Sequence, residues 1–235
     1  MDNDINKPEI NLDMGVKLSP STLSLLEDCP KCFWLQIVKK ISRPSGAFPS
    51  LPSGMDKKLK EHFDRFMAKG DLPPELIRHG LSGFKLFDDV ELLKGWRSNF
   101  KGIQYTDPSS GIILHGAVDN ILVKNDTDCL IVLDYKTRGF PLKDDTAHHY
   151  QDQMNFYTFL LQQNGYKTED FAYLLFYIPD QILETGEVVF ATELVKLPVH
   201  VEHAKALFEA AVKVVQGPMP ESSQDCEYCA WKKTP

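Results

Sequence analysis

Four of the five cysteines fall into two Cys-x-x-Cys pairs, Cys29 with Cys32 and Cys226 with Cys229, and most of the 235 residues lie between the pairs. No other feature constrains the fold as much. If the two pairs share one site, the first helical segment must finish beside the last segment of the chain. In a reducing compartment thiols spaced in this way point to a bound metal rather than to disulfides. By composition four thiolates suit Zn2+ and an iron–sulfur cluster equally well. Such a site clasps the two ends together, and closing so long a loop stabilises the fold. Cys129 stands apart and is expected as a core residue of its strand or turn.

With 43% apolar and 11% aromatic residues, the chain can bury a sizeable core. No stretch approaches the roughly 20 uninterrupted apolar residues of a membrane span. The opening MDNDINKPEINLDMG is polar and unlike a signal peptide, so the expected location is cytoplasmic, with no membrane partner. A formal net charge of -7 excludes a protein that coats nucleic acid through bulk positive charge. Any such binding has to be local. Basic residues cluster at Lys39, Lys40 and Arg43, at Lys57, Lys58 and Lys60, and at Lys232 and Lys233, where solvated surface is the ordinary role.

Residues 1–16 read as a flexible leader and 17–235 as a single domain. Leu18-Ser-Pro-Ser-Thr22 supplies hydroxyl caps and a first-turn proline for a helix that runs to the first cysteine pair. The Pro, Gly and Ser of residues 42–54 predict a loop. Met55, Leu59, Phe63 and Phe66 then recur at helical spacing in a helix that closes on Gly70, and residues 84–100 are expected to be helical too. Gly111–Val123 and Leu130–Lys136 are β-branched or apolar runs around the polar turn KNDTD and predict a hairpin. Helical periodicity returns over 147–163 and stops at Gly165; strands follow over 171–177 and 188–197, then a helix over 199–216. The order predicts an α/β (α+β) domain with a central mixed sheet flanked by helices.

Alternate residues of a strand share a face, so Asp134 and Lys136 project together and Tyr135 projects away. The run Leu130-Ile-Val-Leu133 before them is wholly apolar, as in a buried strand that ends by presenting a carboxylate and an ammonium at one point. Asp119 follows Gly116-Ala-Val in the neighbouring strand, and hairpin pairing sets it beside Asp134. Two carboxylates, the carbonyl of Tyr135, waters and a phosphate oxygen form the oxygen set that Mg2+ prefers. Such an ion polarises a scissile phosphate and makes hydroxide available near neutral pH, while Lys136 orients the water or balances charge on the phosphate. Gln153 and Tyr157 lie one helical turn apart and share a face.

Gly-Ala-Val-Asp119, a polar turn, an apolar strand ending in Asp134-Tyr-Lys136-Thr, and a helix with Gln153 and Tyr157 together resemble the PD-(D/E)XK nuclease superfamily. The resembling branch is that of RecB-like and CRISPR-associated exonucleases. LSPSTLSLLEDCPKCFWL, from Leu18, is similar to that branch's opening helix, so the resemblance covers roughly residues 18–233.

The resemblance implies a restriction-endonuclease-like core with Asp119, Asp134, Lys136, Gln153 and Tyr157 as catalytic residues and Mg2+ or Mn2+ at the centre. It implies DNA, single-stranded or at ends, as substrate, and a partner nuclease, a helicase or CRISPR adaptation proteins as companions; relatives serve in recombination, repair and spacer acquisition. Relatives also place a metal-binding histidine on an early helix after a glycine. In Gly54-Met-Asp-Lys-Lys-Leu-Lys-Glu-His62 that position is a lysine, which leaves His62, or more weakly Asp56, to substitute. Relatives often hold a [4Fe-4S] cluster on one N-terminal and three C-terminal cysteines; the two-and-two division of Cys29, Cys32, Cys226 and Cys229 keeps Zn2+ as the alternative to a cluster. A nucleic-acid-binding module of the same fold without turnover is the competing function, and a clasped protein with an accidental Asp-Tyr-Lys ion pair is the third.

Overall fold

The computed structural model describes residues 15–231. Its elements are, in chain order, β1 (Lys17–Leu18), α1 (Pro20–Asp28), α2 (Pro30–Val38), α3 (Ser50–Met67), α4 (Pro74–Arg78), β2 (Phe84–Leu86), α5 (Val90–Trp96), β3 (Ile103–Thr106) and β4 (Ile113–Gly116). There follow β5 (Asn120–Lys124), β6 (Leu130–Thr137), a 3-10 turn over Thr146–Tyr150, α6 (Gln151–Gln163), β7 (Phe171–Ile182), β8 (Val188–Pro198), α7 (Val201–Gln216) and α8 (Glu227–Trp231). Two compact units divide them. One takes residues 48–103 and 116–201; the other takes, of the described residues, 15–47, 104–115 and 202–231.

The larger unit is built on a mixed sheet of five strands in the order β2-β5-β6-β7-β8. The pairing of β6 with β7 is parallel, and the other pairings are antiparallel. Parallel neighbours need a crossover, and α6 supplies it. Ile131, Leu133 and Tyr135 of β6 join Leu122, Tyr173, Leu175 and Tyr177 on one face, where Leu59 and Phe63 of α3 and Leu76 of α4 cover them. The opposite face of β6 meets α6. The expectation of an α/β fold with a central mixed sheet flanked by helices therefore holds.

In the smaller unit a three-stranded sheet, order β1-β4-β3, brings β1 alongside β4 in parallel. Trp34 of α2 donates from Nε1 to the Gly217 carbonyl at 3.1 Å, and Tyr105 meets Phe208 of α7 edge to face. Ser19 caps α1 with a capping box, as the hydroxyl run predicts. That helix stops at Asp28, and Pro30 starts α2 with Cys29 in extended backbone between them.

Three local expectations give way. The run 111–123 is two strands in two sheets, β4 and β5, broken at Ala117–Asp119. Glycines drive the break: a Cβ on Gly102 would stand 2.5 Å from the Gly116 carbonyl oxygen, and Val118 donates its amide to the Trp96 carbonyl at 3.2 Å. Residues 84–86 form a strand against β5 rather than part of a helix, which begins only where Asp89 caps Leu92. Residues 50–54 belong to α3, since Pro52 in the first turn lacks only an amide that would have no helical partner. Cys129 is half-buried ahead of β6. Lys232 and Lys233 lie outside the described residues, as does the leader up to residue 14.

Candidate active site

The register of β5 with β6 pairs Asn120 with Leu133 and Ile121 with Val132; one step further sets Asp119 opposite Asp134. Asp119 sits on the bend just before β5, and its Oδ2 accepts the Tyr135 amide at 3.0 Å, closing the end of the ladder. Its backbone carbonyl accepts Arg97 Nε at 2.7 Å, and Arg97 is held in turn by Asp64 at 2.7 Å. The carboxylate is thereby aimed by an amide, a guanidinium and a strand end together.

Asp134 is 1% exposed. Lys136 Nζ lies 2.5 Å from Asp134 Oδ2, a close ion pair, and the only ion pair of that carboxylate among the described residues. Burial first, then the Asp119 charge, push the Asp134 carboxyl up from 3.8 to about 7, against the pull of Lys136 and Lys60. A carboxylate that burial and a second carboxylate both push toward the neutral form, with one lysine as its counter-charge, is an arrangement that a hard divalent cation would stabilise. The residues present therefore fit the ion that a nuclease fold implies.

Lys136 is pinned from α6. Its ammonium donates to Gln153 Oε1 at 2.9 Å and stands 4.5 Å from the centre of the Tyr150 ring. Because lysine only donates, the Gln153 amide must turn its oxygen toward it and its NH2 toward the Tyr157 hydroxyl, which Nε2 meets at 2.8 Å. Tyr157 fits because Gly116 has no side chain: a Cβ there would stand 2.6 Å from the ring. Burial and the Asp134 charge hold the Tyr157 hydroxyl well above the ordinary tyrosine range, so it stays protonated. Tyr135 points to the other face, where its hydroxyl accepts from Asn120 at 2.8 Å and its ring lies against Phe63.

The structure thus brings Asp119, Asp134, Lys136, Gln153 and Tyr157 together. His62 is not among them. Its Nε2 lies 2.9 Å from Glu75 Oε1, which also accepts the Tyr177 hydroxyl at 2.6 Å, and its ring meets Phe66 edge on. Two positions earlier, about 200° around the helix, Lys60 reaches Asp119 Oδ1 at 2.9 Å and Asp56 Oδ1 at 2.9 Å. Burial alone would disfavour the Lys60 charge, but Asp119 and Asp56 outweigh it and raise the ammonium above its ordinary range. Burial and then Asp119 raise Asp56. Sequence reasoning missed Lys60 and Arg97 as members of this site. The i,i+4 spacing of Asp56 and Lys60 was a legible signal for the first; nothing in the sequence marks the second.

Cys29, Cys32, Cys226 and Cys229 also meet. Their sulfurs lie within 4.8 Å of one another, with 3.6 Å from Cys32 to Cys226 and to Cys229, and 3.9 Å from Cys29 to Cys229. These four could bind a metal. Arg43 donates from Nη2 to Cys226 Sγ at 3.3 Å, pairs with Asp28, and stacks its guanidinium over the Tyr228 ring at 4.4 Å. Burial pushes the Cys229 thiol up to about 12; at Cys29 it is overcome by hydrogen bonds from the Cys32 and Ser223 backbone, which lower that thiol to about 6.

A mixed sheet that brings two carboxylates and a lysine to the adjacent ends of neighbouring strands defines a nuclease-type fold. Residues 55–234 match the model of the PD-(D/E)XK nuclease superfamily, and the chain belongs to that superfamily. Such a fold implies a nucleic-acid substrate and a divalent metal. No curated protein matches the chain. Among solved structures, one described as "Crystal structure of SSO0001" is 13% identical, with 92% of this chain and 84% of that chain covered at a TM-score of 0.44. No helix among the described residues is long and apolar enough to cross a membrane.

Proposed function

We propose that the protein is a metal-dependent deoxyribonuclease that hydrolyses phosphodiester bonds, acting on single strands or ends, in the RecB-like and CRISPR-associated branch of the superfamily. The observation that carries this reading is the buried Asp134 carboxylate, opposite Asp119 and paired with a lysine that Gln153 fixes. Asp119, Asp134 and the Tyr135 carbonyl would hold Mg2+ or Mn2+, which when bound supplies Lewis acidity toward the phosphate and a water of lowered pKa.

The remaining work falls to the chain's own groups. Lys136, fixed by Gln153 and by the Tyr150 ring, presents a cation at the charge that develops on the phosphate, with little reorganisation. Tyr157 fixes Gln153 and keeps its own proton. Phe140, 77% exposed on the loop that leaves β6 beyond Lys136, offers a face on which an unpaired base can stack, which favours single-stranded substrate. Residues 17–235 would act as one nuclease domain behind the leader 1–16, with helicase, nuclease or CRISPR adaptation proteins as companions.

At the four cysteines we favour one zinc ion over the [4Fe-4S] cluster. A tetrahedral ion with Zn–S bonds of roughly 2.3 Å sets its sulfurs about 3.8 Å apart, and the three hydrogen-bonded sulfur pairs lie at 3.6 to 3.9 Å. A cubane, with one cysteine at each of four iron corners, needs its sulfurs farther apart. Metal analysis decides: zinc near one equivalent with no visible iron–sulfur absorption is expected, and iron with sulfide would reinstate the cluster.

The function itself is tested by cleavage of labelled single- and double-stranded DNA with Mg2+ or Mn2+. Activity that requires the metal and disappears in Asp134→Ala and Lys136→Ala is the expected outcome. A folded, metal-replete native protein that binds DNA and does not cut it would favour the binding module instead.

A further inference from the structure

Lys60 occupies a position that the nuclease reading does not use. Its ammonium touches Asp119 Oδ1 and Asp56 at 2.9 Å, and its side chain is 22% exposed. We propose that Lys60 is a built-in cation that limits the carboxylate centre to one divalent ion and takes the position of a second. The proposal rests on the metal-dependent reading given above.

Two observations support it. The first is the allocation of the Asp119 oxygens. Oδ2 already accepts the Tyr135 amide at 3.0 Å and Oδ1 already faces Lys60, while Asp134 Oδ2 has only the Lys136 ion pair. Each Asp119 oxygen keeps one lone-pair site beside these partners, but an ion bound through Oδ1 would have to share that oxygen with the Lys60 ammonium and be repelled by it. To bridge two ions, Asp119 would have to set the second beside the Lys60 ammonium, which like charge disfavours.

The second observation is charge. Asp56, Asp119 and Asp134 against Lys60 and Lys136 leave a formal charge of minus one. One divalent ion makes the centre plus one, which a single phosphodiester anion neutralises. A second ion would make it plus three in a setting where Asp134 is buried and screening is weak. Replacing Lys60 with a neutral residue leaves minus two, a centre that accommodates two ions. Lys60 also departs from solvent on a short tether: its pairing with Asp56 at i,i+4 on α3 holds it at Asp119. In this account it is a positioning residue that sets how many cations Asp119 can share.

The test counts Mn2+ bound to the full chain, by electron paramagnetic resonance of the free ion, with the four-cysteine site loaded beforehand. Native protein, Lys60→Gln, Lys60→Arg and Asp134→Asn are compared, with circular dichroism confirming that each is folded. The native chain is expected to bind one Mn2+ that Asp134→Asn loses. Lys60→Gln should bind two, with spin coupling between them and at least about tenfold tighter binding of the first; Lys60→Arg should return to one. Two ions in the native chain, or one in both native and Lys60→Gln with unchanged affinity, overturns the role of Lys60 while leaving the nuclease reading intact. Absence of any Asp134-dependent Mn2+ in the native chain overturns both.

Discussion

The cysteine clasp and the carboxylate centre are both places for a cation, and they are made in opposite ways. Cys29 and Cys229 meet across 200 positions of chain, on helix ends and turns, while Asp119 and Tyr135 meet across 16 positions at the end of one hairpin. The clasp offers four soft sulfurs, three of them buried, and no opening in its coordination for a substrate. The centre offers hard oxygens paired with two lysine ammonium groups, Lys60 at Asp119 and Lys136 at Asp134. A closed soft site suits stabilisation and an open hard site suits reaction, and this is the division between clasp and centre on which the proposed function rests.

The sharpest way to break this division is at the cysteines. Cys32→Ser should lose the clasp metal and cost on the order of 5 kcal/mol of stability, read as a fall in thermal midpoint, while metal-dependent cleavage at low temperature changes little. Loss of cleavage with the fold intact would place the clasp in the chemistry.

Next in size is the pH dependence of the centre. Asp134 has a folded-state pKa raised from 3.8 to about 7, so its contribution is fully present below about pH 4 and is lost as pH rises toward 7. Without divalent ions, urea midpoints should therefore be lower at pH 8 than at pH 5, Asp134→Asn should flatten that slope, and Mg2+ should restore stability at pH 8. Asp56 adds a slope of the same sign. Superimposable native and Asp134→Asn profiles would remove the strain from the centre.

The smallest change tests how the lysine is held. Gly116→Ala drives a methyl into the Tyr157 ring and should cost ~1–3 kcal/mol and reduce cleavage by about tenfold, with the clasp metal retained. An unchanged rate would show that Gln153 needs no support from Tyr157.

Much of the centre was legible because a strand has a strict period. Leu130–Leu133 announced a buried strand, and alternation alone separated Tyr135 from Asp134 and Lys136. The i,i+4 pair Gln153 and Tyr157 followed from helix geometry in the same way. What escaped was set by distant contacts. Gly102 and Gly116 break the run 111–123 between two sheets because other backbone and a tyrosine ring come close, which no local pattern records. Residues 84–86 became a strand because β5 had an edge to pair. His62 and, more weakly, Asp56 were the candidates on sequence, and only the rotation of α3 against the sheet turns Lys60 rather than His62 toward Asp119.

The parallel pairing of β6 with β7 has a consequence for the order of assembly. The hairpins β5–β6 and β7–β8 close over short turns and can form early, but β6 and β7 can pair only after the crossover through α6 has been laid down. The two aspartates come together with the first hairpin; Lys136 acquires Gln153 and Tyr157 only when α6 docks. The contacts of Asp119 with Tyr135 and of Lys136 with Gln153 span 16 and 17 positions of chain, so a nascent chain is expected to complete its acidic pair and fix its lysine long before Cys29 meets Cys229 across 200 positions.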